Sequence, residues 1–300
     1  MSLLVTGSIG IDTIETPFGK RENVIGGSAV YFAYAASFFT HVRLVGVIGP
    51  DYPHDLKALF KPRDVDTSGL EVRAGSKSFR WHGSYVENMN EAQTLSVDLN
   101  VLAEQAPKIP ADFLDSKYVF LANTHPQLQA AFCDSLKSKR LVVADTMNLW
   151  IETTRSDLLN LLKKVDGLVL NDGEAKLLTG EKNMITAAKK VIAMGPKFVV
   201  IKKGEHGSLA AIGDHIIVLP AFPAETVVDP TGAGDSFAAG MMGYLATQNT
   251  FGPTTLRRAM AFGTVVASFT ISGFSLEGLS IATREALDDR LEALRRVTSF

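Results

Sequence analysis

Six short runs, at 3–6, 44–48, 118–121, 141–144, 168–170 and 198–201, are rich in Val, Ile and Leu on consecutive positions. Apolarity on consecutive positions suits a strand buried on both faces, and such strands are parallel ones covered by helices. The stretches 28–39, 127–136, 156–165, 186–194, 235–246, 254–271 and 284–295 between and after them have helical character. Strand and helix in alternation specify an α/β fold of three layers, with a mostly parallel central sheet wrapped on both faces. Ligands of such sheets sit outside the carboxyl ends of the strands, so polar residues that follow each run are the places to look. No linker divides the 300 residues, of which 46% are hydrophobic, and one domain over 1–300 is expected. Two polar-aromatic stretches, at about 12–25 and 78–97, break the alternation. They read as short antiparallel strands that pair into a small β lid over the site, or as a plain surface excursion. In the second, Phe79, Trp81 and Tyr85 alternate on one face as an apolar cover, with Asn88 and Asn90 as hydrogen-bonding neighbours.

A net charge of −2 gives no argument for nucleic acid or an acidic membrane surface as partner. One cysteine, Cys133, forms no internal disulfide and reads as core filler, which makes a reducing cytoplasm the expected compartment. The first residues carry no basic segment ahead of their apolar ones, and no apolar run approaches the ~18 residues of a membrane span. The six histidines show no metal-ligand spacing, so no zinc site is expected. Monomer and homodimer both remain open.

The stretch 227–240, VVDPTGAGDSFAAG, concentrates the chemistry. Pro230 pre-sets a turn, and Gly232 and Gly234 let the backbone approach a ligand. The N–H groups of Gly232, Ala233, Gly234 and Asp235 would then be donors at the positive end of a helix carrying Phe237, Met241, Met242 and Leu245. Asp235, placed where an anion is expected, makes sense as a base for a hydroxyl attacking a phosphoryl group. The plainer reading is an ordinary helix N-cap on a glycine turn.

DPTGAGDSFAAG closely resembles the C-terminal signature of the ribokinase-like (PfkB) family of sugar and nucleoside kinases. The resemblance implies a ribokinase-like fold, with Asp235 as catalytic base and the Gly232, Ala233 and Gly234 backbone as anion hole. In GSIGID, Asp12 matches the family's N-terminal substrate acid, and GGSAVYFAYAA, with Gly26 and Gly27, has the position of its first signature. That signature usually carries asparagine where this chain has Tyr31, which points away from ribose itself; Tyr31 either stacks on a base or is core. GSIGID lacks the spacing of a dinucleotide fingerprint.

Asn171 and Glu174, read from the residues alone as a capping arrangement, resemble the family's N-x-x-E element, which governs the Mg²⁺ and phosphate environment, Glu174 acting through metal-bound water. The strand-end loop KKGEHG, with Gly204 and Gly207, matches the loop that lies along the nucleotide, and Lys203 or Lys202 reaches toward phosphate or is solvated. Many relatives bind a monovalent cation near the first acid of the motif, where Asp229 and Thr231 would supply oxygens to K⁺. Gly263 would leave the adenine pocket apolar, and Asp145 and Asn148 would support the site.

Together these matches run from Asp12 to Ser275 and imply ATP- and Mg²⁺-dependent phosphoryl transfer to a primary hydroxyl of a small-molecule acceptor. A nucleoside is slightly favoured by Tyr31 and the aromatic lid over a simple sugar such as ribose or fructose. No basic cluster is dedicated to a second phosphate. The reading from another class is a non-catalytic sensor that binds a sugar or nucleotide; the intact Asp235 argues against it.

Overall fold

The computed structural model describes residues 2–86 and 89–299, so Asn88 lies outside the described residues. Its strands are β1 (Leu3–Thr6), β2 (Gly10–Thr16), β3 (Gly19–Gly26), β4 (Val42–Ile48), β5 (Val65–Val72), β6 (Phe79–Ser84), β7 (Gln93–Asp98), β8 (Tyr118–Leu121), β9 (Leu141–Asp145), β10 (Gly167–Asn171), β11 (Phe198–Lys202), β12 (Ser208–Ile212) and β13 (His215–Leu219). Nine of them form one sheet in the order β13-β12-β11-β10-β9-β8-β1-β4-β5. From β5 to β11 neighbours run parallel, and β12 and β13 extend the sheet antiparallel. The chain turns to one side of β1 for β4 and β5 and to the other for β8 to β11, so the order reverses beside β1, where open α/β sheets bind ligands.

The helices are α1 (Ser28–Ala36), α2 (Leu56–Phe60), α3 (Pro126–Ser135), α4 (Asn148–Thr153), α5 (Arg155–Leu162), α6 (Asp172–Thr179), α7 (Met184–Ala193), α8 (Ala233–Ala246), α9 (Pro253–Thr270), α10 (Glu277–Ser280) and α11 (Arg284–Thr298). They fill two layers because each central strand is apolar toward both sides. Leu3, Val5, Phe120, Val143, Val169 and Val200 join the core under α1, α2 and α8 to α11. Their neighbours Leu4, Val119, Leu121, Val142, Leu168 and Val199 join the core under α3 to α7. Phe32 of α1 stacks on Phe120 at 4.3 Å, a contact worth about 1 kcal/mol beyond burial of the two rings. Gly240 of α8 and Gly263 of α9 let those helices pack backbone to backbone; a Cβ on Gly263 would lie 2.6 Å from the Phe237 carbonyl. Gly263 thus serves helix packing here.

All six sequence runs are strands of this sheet. The strands β5, β12 and β13 were not foreseen. β5 and β13 form the sheet's half-exposed edges; β5 (VDTSGLEV) is of mixed polarity, whereas β13 (HIIVL) carries an apolar run of four that qualifies as a strand signal. The two irregular stretches meet in a second sheet of order β3-β2-β6-β7. The expectation of antiparallel strands holds for β2–β3 and β6–β7 but fails between β2 and β6, which are parallel. The physical reason is the intervening excursion through α1, β4, α2 and β5, which returns the chain to β6 in the direction of β2. Ile14, Tyr85 and Phe274 form a small third core on this sheet, with Trp81 and Val24 packed against it.

Candidate active site

Pro230 sets a turn in which its carbonyl accepts the N–H of Ala233 at 3.1 Å, and Gly232 caps α8 at φ 74°. A side chain there would be strained, and its Cβ would strike the Tyr31 ring at 2.4 Å. Tyr31 is 1% exposed, so it is the floor of the glycine turn and not a surface on which a base stacks. The N–H groups of Gly234 and Asp235 have no acceptor among the described residues and stand at the positive end of a fourteen-residue helix. That of Ala233 is taken up within the turn, which narrows the expected anion hole.

Asp229 is fully buried, and both of its oxygens accept hydrogen bonds. Oδ1 takes the Thr231 N–H at 2.9 Å and Oδ2 the Ser275 N–H at 3.0 Å. Ser275 in turn donates its hydroxyl to the Ile25 carbonyl at 2.6 Å. The start of the motif, the loop before α10 and the end of β3 are therefore tied together through one carboxylate.

At the mouth of α8 the carboxyl ends of three adjacent parallel strands present Asp145, Asn171 and Lys202. All three continue the parity of Val143, Val169 and Val200, which face the layer containing α8. The Lys202 ammonium lies 3.7 Å from Asp145 Oδ2. Asn171 and Glu174 form a reciprocal capping box, each backbone N–H donating to the other's side chain at 2.7 Å. The capping reading is therefore correct as structure, and it also delivers a buried carboxylate to the cluster. Asp172 pairs with Lys176 on the exposed side.

Crowding of acids in a poorly solvated place raises their pKa values. Burial, followed by the Asp145 charge, pushes Asp235 up to about 7 and Glu174 up to about 8. Burial also raises Asp145, against the opposing pull of Lys202. For Lys202 burial alone would lower the value, but Asp145, Glu174 and Asp235 outweigh it and hold the ammonium charged.

On the second sheet, Asp12 of β2 is 4% exposed and its Oδ1 is buried with no hydrogen-bond partner among the described residues. Burial first, then the charges of Asp229 and Asp235, push it up to about 8. Gly26 lies flat against it: a Cβ there would sit 2.0 Å from the carboxylate. Gly27, at φ 96°, is packed against the Ser8 carbonyl and the Gly10 amide. The acid and the two glycines expected to clamp an acceptor are thus together.

The second sheet reaches the site at two points. The Thr231 hydroxyl donates to Tyr85 Oη at 3.2 Å, and Asn90 exchanges hydrogen bonds with Glu205 at 3.2 and 3.3 Å, closing against Gly204. Gly204 is exposed on this turn, whereas Gly207 is packed on the Leu219 carbonyl and meets an internal demand. Lys203 lies beyond the end of β11, outside the acid cluster; Lys202 is the lysine inside it. Strand parity was the signal that separates the two.

A family model for the pfkB family of carbohydrate kinases matches residues 4–280. The chain is 32% identical over 249 residues to a cytidine kinase of Thermococcus kodakarensis, covering 81% of this chain and 87% of that one. Its fold matches a nucleoside kinase of Methanocaldococcus jannaschii with TM-score 0.78 at 19% identity, covering 97% and 98% of the two chains. A nucleoside kinase of Burkholderia thailandensis in complex with inosine matches with TM-score 0.78 at 19% identity over 98% of each chain. At such identity these two structures speak to the fold alone. With a family match over residues 4–280 and a relative 32% identical over most of both chains, this chain belongs to the pfkB family of carbohydrate kinases, phosphotransferases with an alcohol group as acceptor.

Proposed function

We propose that the protein is an ATP-dependent nucleoside kinase that phosphorylates the primary hydroxyl of the ribose. The observation that carries phosphoryl transfer is Asp235 standing beside the free N–H groups of α8 and within electrostatic reach of Asp12, whose buried Oδ1 is unpartnered among the described residues. Asp12, with Gly26 and Gly27 giving room, would accept hydrogen bonds from ring hydroxyls and aim the primary hydroxyl at Asp235. Asp235 would take that proton as the oxygen attacks the γ-phosphorus, while the Gly234 and Asp235 amides hold the charge on the group in transit. The acceptor class rests on the likeness to a cytidine kinase over most of the chain. A phosphorylated acceptor is disfavoured because the lysine and arginines of the second sheet already have partners. Lys20 pairs with Glu15 and Glu22, Arg80 with Asp51 and Asn23, and Arg21 lies over Phe274.

Mg²⁺ fits the site. Asp145, Glu174 and Asp235 crowd around a single ammonium, an excess of negative charge that a divalent cation arriving with the triphosphate would relieve. Asn171 and Glu174, through water, and Asp145 are the residues that would face it, and the ion would supply charge neutralisation to the phosphates. For K⁺, each Asp229 oxygen already accepts one amide bond and the Thr231 hydroxyl donates to Tyr85, which leaves lone pairs on all three oxygens that could face a cation. The whole chain would act as one kinase domain, with the second sheet as the lid that excludes water. Gly204 would lie along the nucleotide.

The test is ADP release from Mg·ATP against cytidine, uridine, adenosine, inosine, ribose and fructose, run beside Asp235→Asn. At least one nucleoside should exceed both free sugars in kcat/KM by about 100-fold, and Asp235→Asn should lower kcat by about 10³-fold. Preference for a free sugar would overturn the acceptor assignment; an unchanged rate in the variant would remove Asp235 from the mechanism.

A further inference from the structure

We propose that Lys202 is a further catalytic residue, its ammonium contacting the γ-phosphoryl group in transit at the mouth of α8. This rests on the reading of α8 as the phosphoryl site. Lys202 ends β11 with only 17% of its side chain exposed, and its Nζ is held among Asp145, Glu174 and Asp235. A lysine serving only as counterion closes on a carboxylate at about 2.7–2.9 Å. Here the shortest ion-pair distance is 3.7 Å, to Asp145, so the ammonium retains donors for another group.

Gly234 shows where those donors stand. A Cβ on Gly234 would lie 2.7 Å from Lys202 Nζ, and Gly234 is an ordinary helical residue with no positive φ. The ammonium thus sits directly over Gly234, in the space that a side chain at that position would otherwise take. The same spot carries the Gly234 and Asp235 amides that lack acceptors among the described residues. Two amides and one ammonium therefore converge from different elements, with Asp235 at their edge. A phosphoryl group spreading charge over three oxygens is the chemistry that such a set recognises.

In the step itself the acceptor oxygen bonds to the γ-phosphorus and the bond from that phosphorus to the β,γ-bridging oxygen breaks. The bond's electron pair leaves with ADP, and the hydroxyl proton passes to Asp235. Lys202 keeps its proton throughout and donates to the non-bridging oxygens.

The experiment compares Lys202→Met and Lys202→Arg with the unaltered enzyme, measuring Mg²⁺-dependent binding of ADP and of adenylyl imidodiphosphate, and kcat on the best acceptor. Lys202→Met should weaken the triphosphate analogue by about tenfold or more while ADP changes by less than about threefold, and kcat should fall by about 10²-fold. Lys202→Arg should recover part of both. If Lys202→Met does not fold, Gly234→Ala is measured in the same way, since its methyl displaces the ammonium while every charge is kept. Equal changes for the two nucleotides, or none, in the variant measured would overturn the proposal. Nucleotide binding needs no acceptor, so failure of the nucleoside assignment would show as missing turnover with the binding difference intact.

Discussion

A methyl group at position 26 would meet the Asp12 carboxylate at 2.0 Å, so the smallest possible substitution probes the proposed acceptor clamp. Gly26→Ala should raise the acceptor KM by about tenfold or more and leave ADP affinity unchanged, as titration calorimetry would show. Asp12 and Asp235 were legible as chemistry because each stands in a glycine-rich context that has little other use. Lys202 was harder to separate from Lys203, since adjacent lysines look alike in composition. Alternation along β11 decides between them: Phe198 and Val200 face the α8 layer, and Lys202 follows them. Tyr31 went the other way. An aromatic in the first signature reads more readily as core than as a base platform, and its burial under Gly232 agrees with the core reading.

Two elements position the cluster, and each makes a measurable contribution. The capping box fixes the first turn of α6 and the direction of Glu174. Asn171→Ala should cost about 1 kcal/mol, a fall in melting temperature of about 2–4 °C, and should weaken Mg·ATP more than free ADP. The second sheet is tied to the glycine motif through Tyr85 and Thr231. Tyr85→Phe removes that bond and keeps the ring; acceptor-free ATP hydrolysis should rise by about threefold relative to kinase turnover as water enters. Both irregular stretches were visible as breaks in the α/β rhythm. Their parallel β2–β6 pairing was not, because strand direction depends on the path of the chain between them.

Across the whole molecule the raised carboxylates couple activity and stability to pH with opposite signs. Asp235 accepts a proton only when ionised, so kcat/KM for the acceptor should fall below an apparent pKa of about 7. Asp12 and Glu174, near 8, and Asp235, near 7, lie above their unfolded values, so each contributes stability that is complete below the ordinary carboxylate range. That contribution is lost as pH rises toward 8. Asp12→Asn cannot ionise, so without nucleotide its melting temperature should exceed that of the unaltered chain by about 5 °C at pH 8, with the gap closing toward pH 4. A gap independent of pH would refute the burial of that charge. Among the described residues no helix is long and apolar enough to cross a membrane.

What the sequence determined by itself is local or periodic. Consecutive apolar runs set the parallel strands, and the DPTGAGD turn set the start of α8 and its acid, because both depend on neighbours within a few residues. What the tertiary structure decided is convergence. Asp145, Glu174, Lys202 and Asp235 are spread over ninety residues, and Asp12 lies further off still. They come together because β9, β10 and β11 are parallel neighbours whose carboxyl ends lie side by side, with the start of α8 against Lys202 and Asp12 near enough to feel the Asp235 charge. Charge coupling falls off with distance, so the pKa shifts that mark this site exist only once the sheet has brought the groups together.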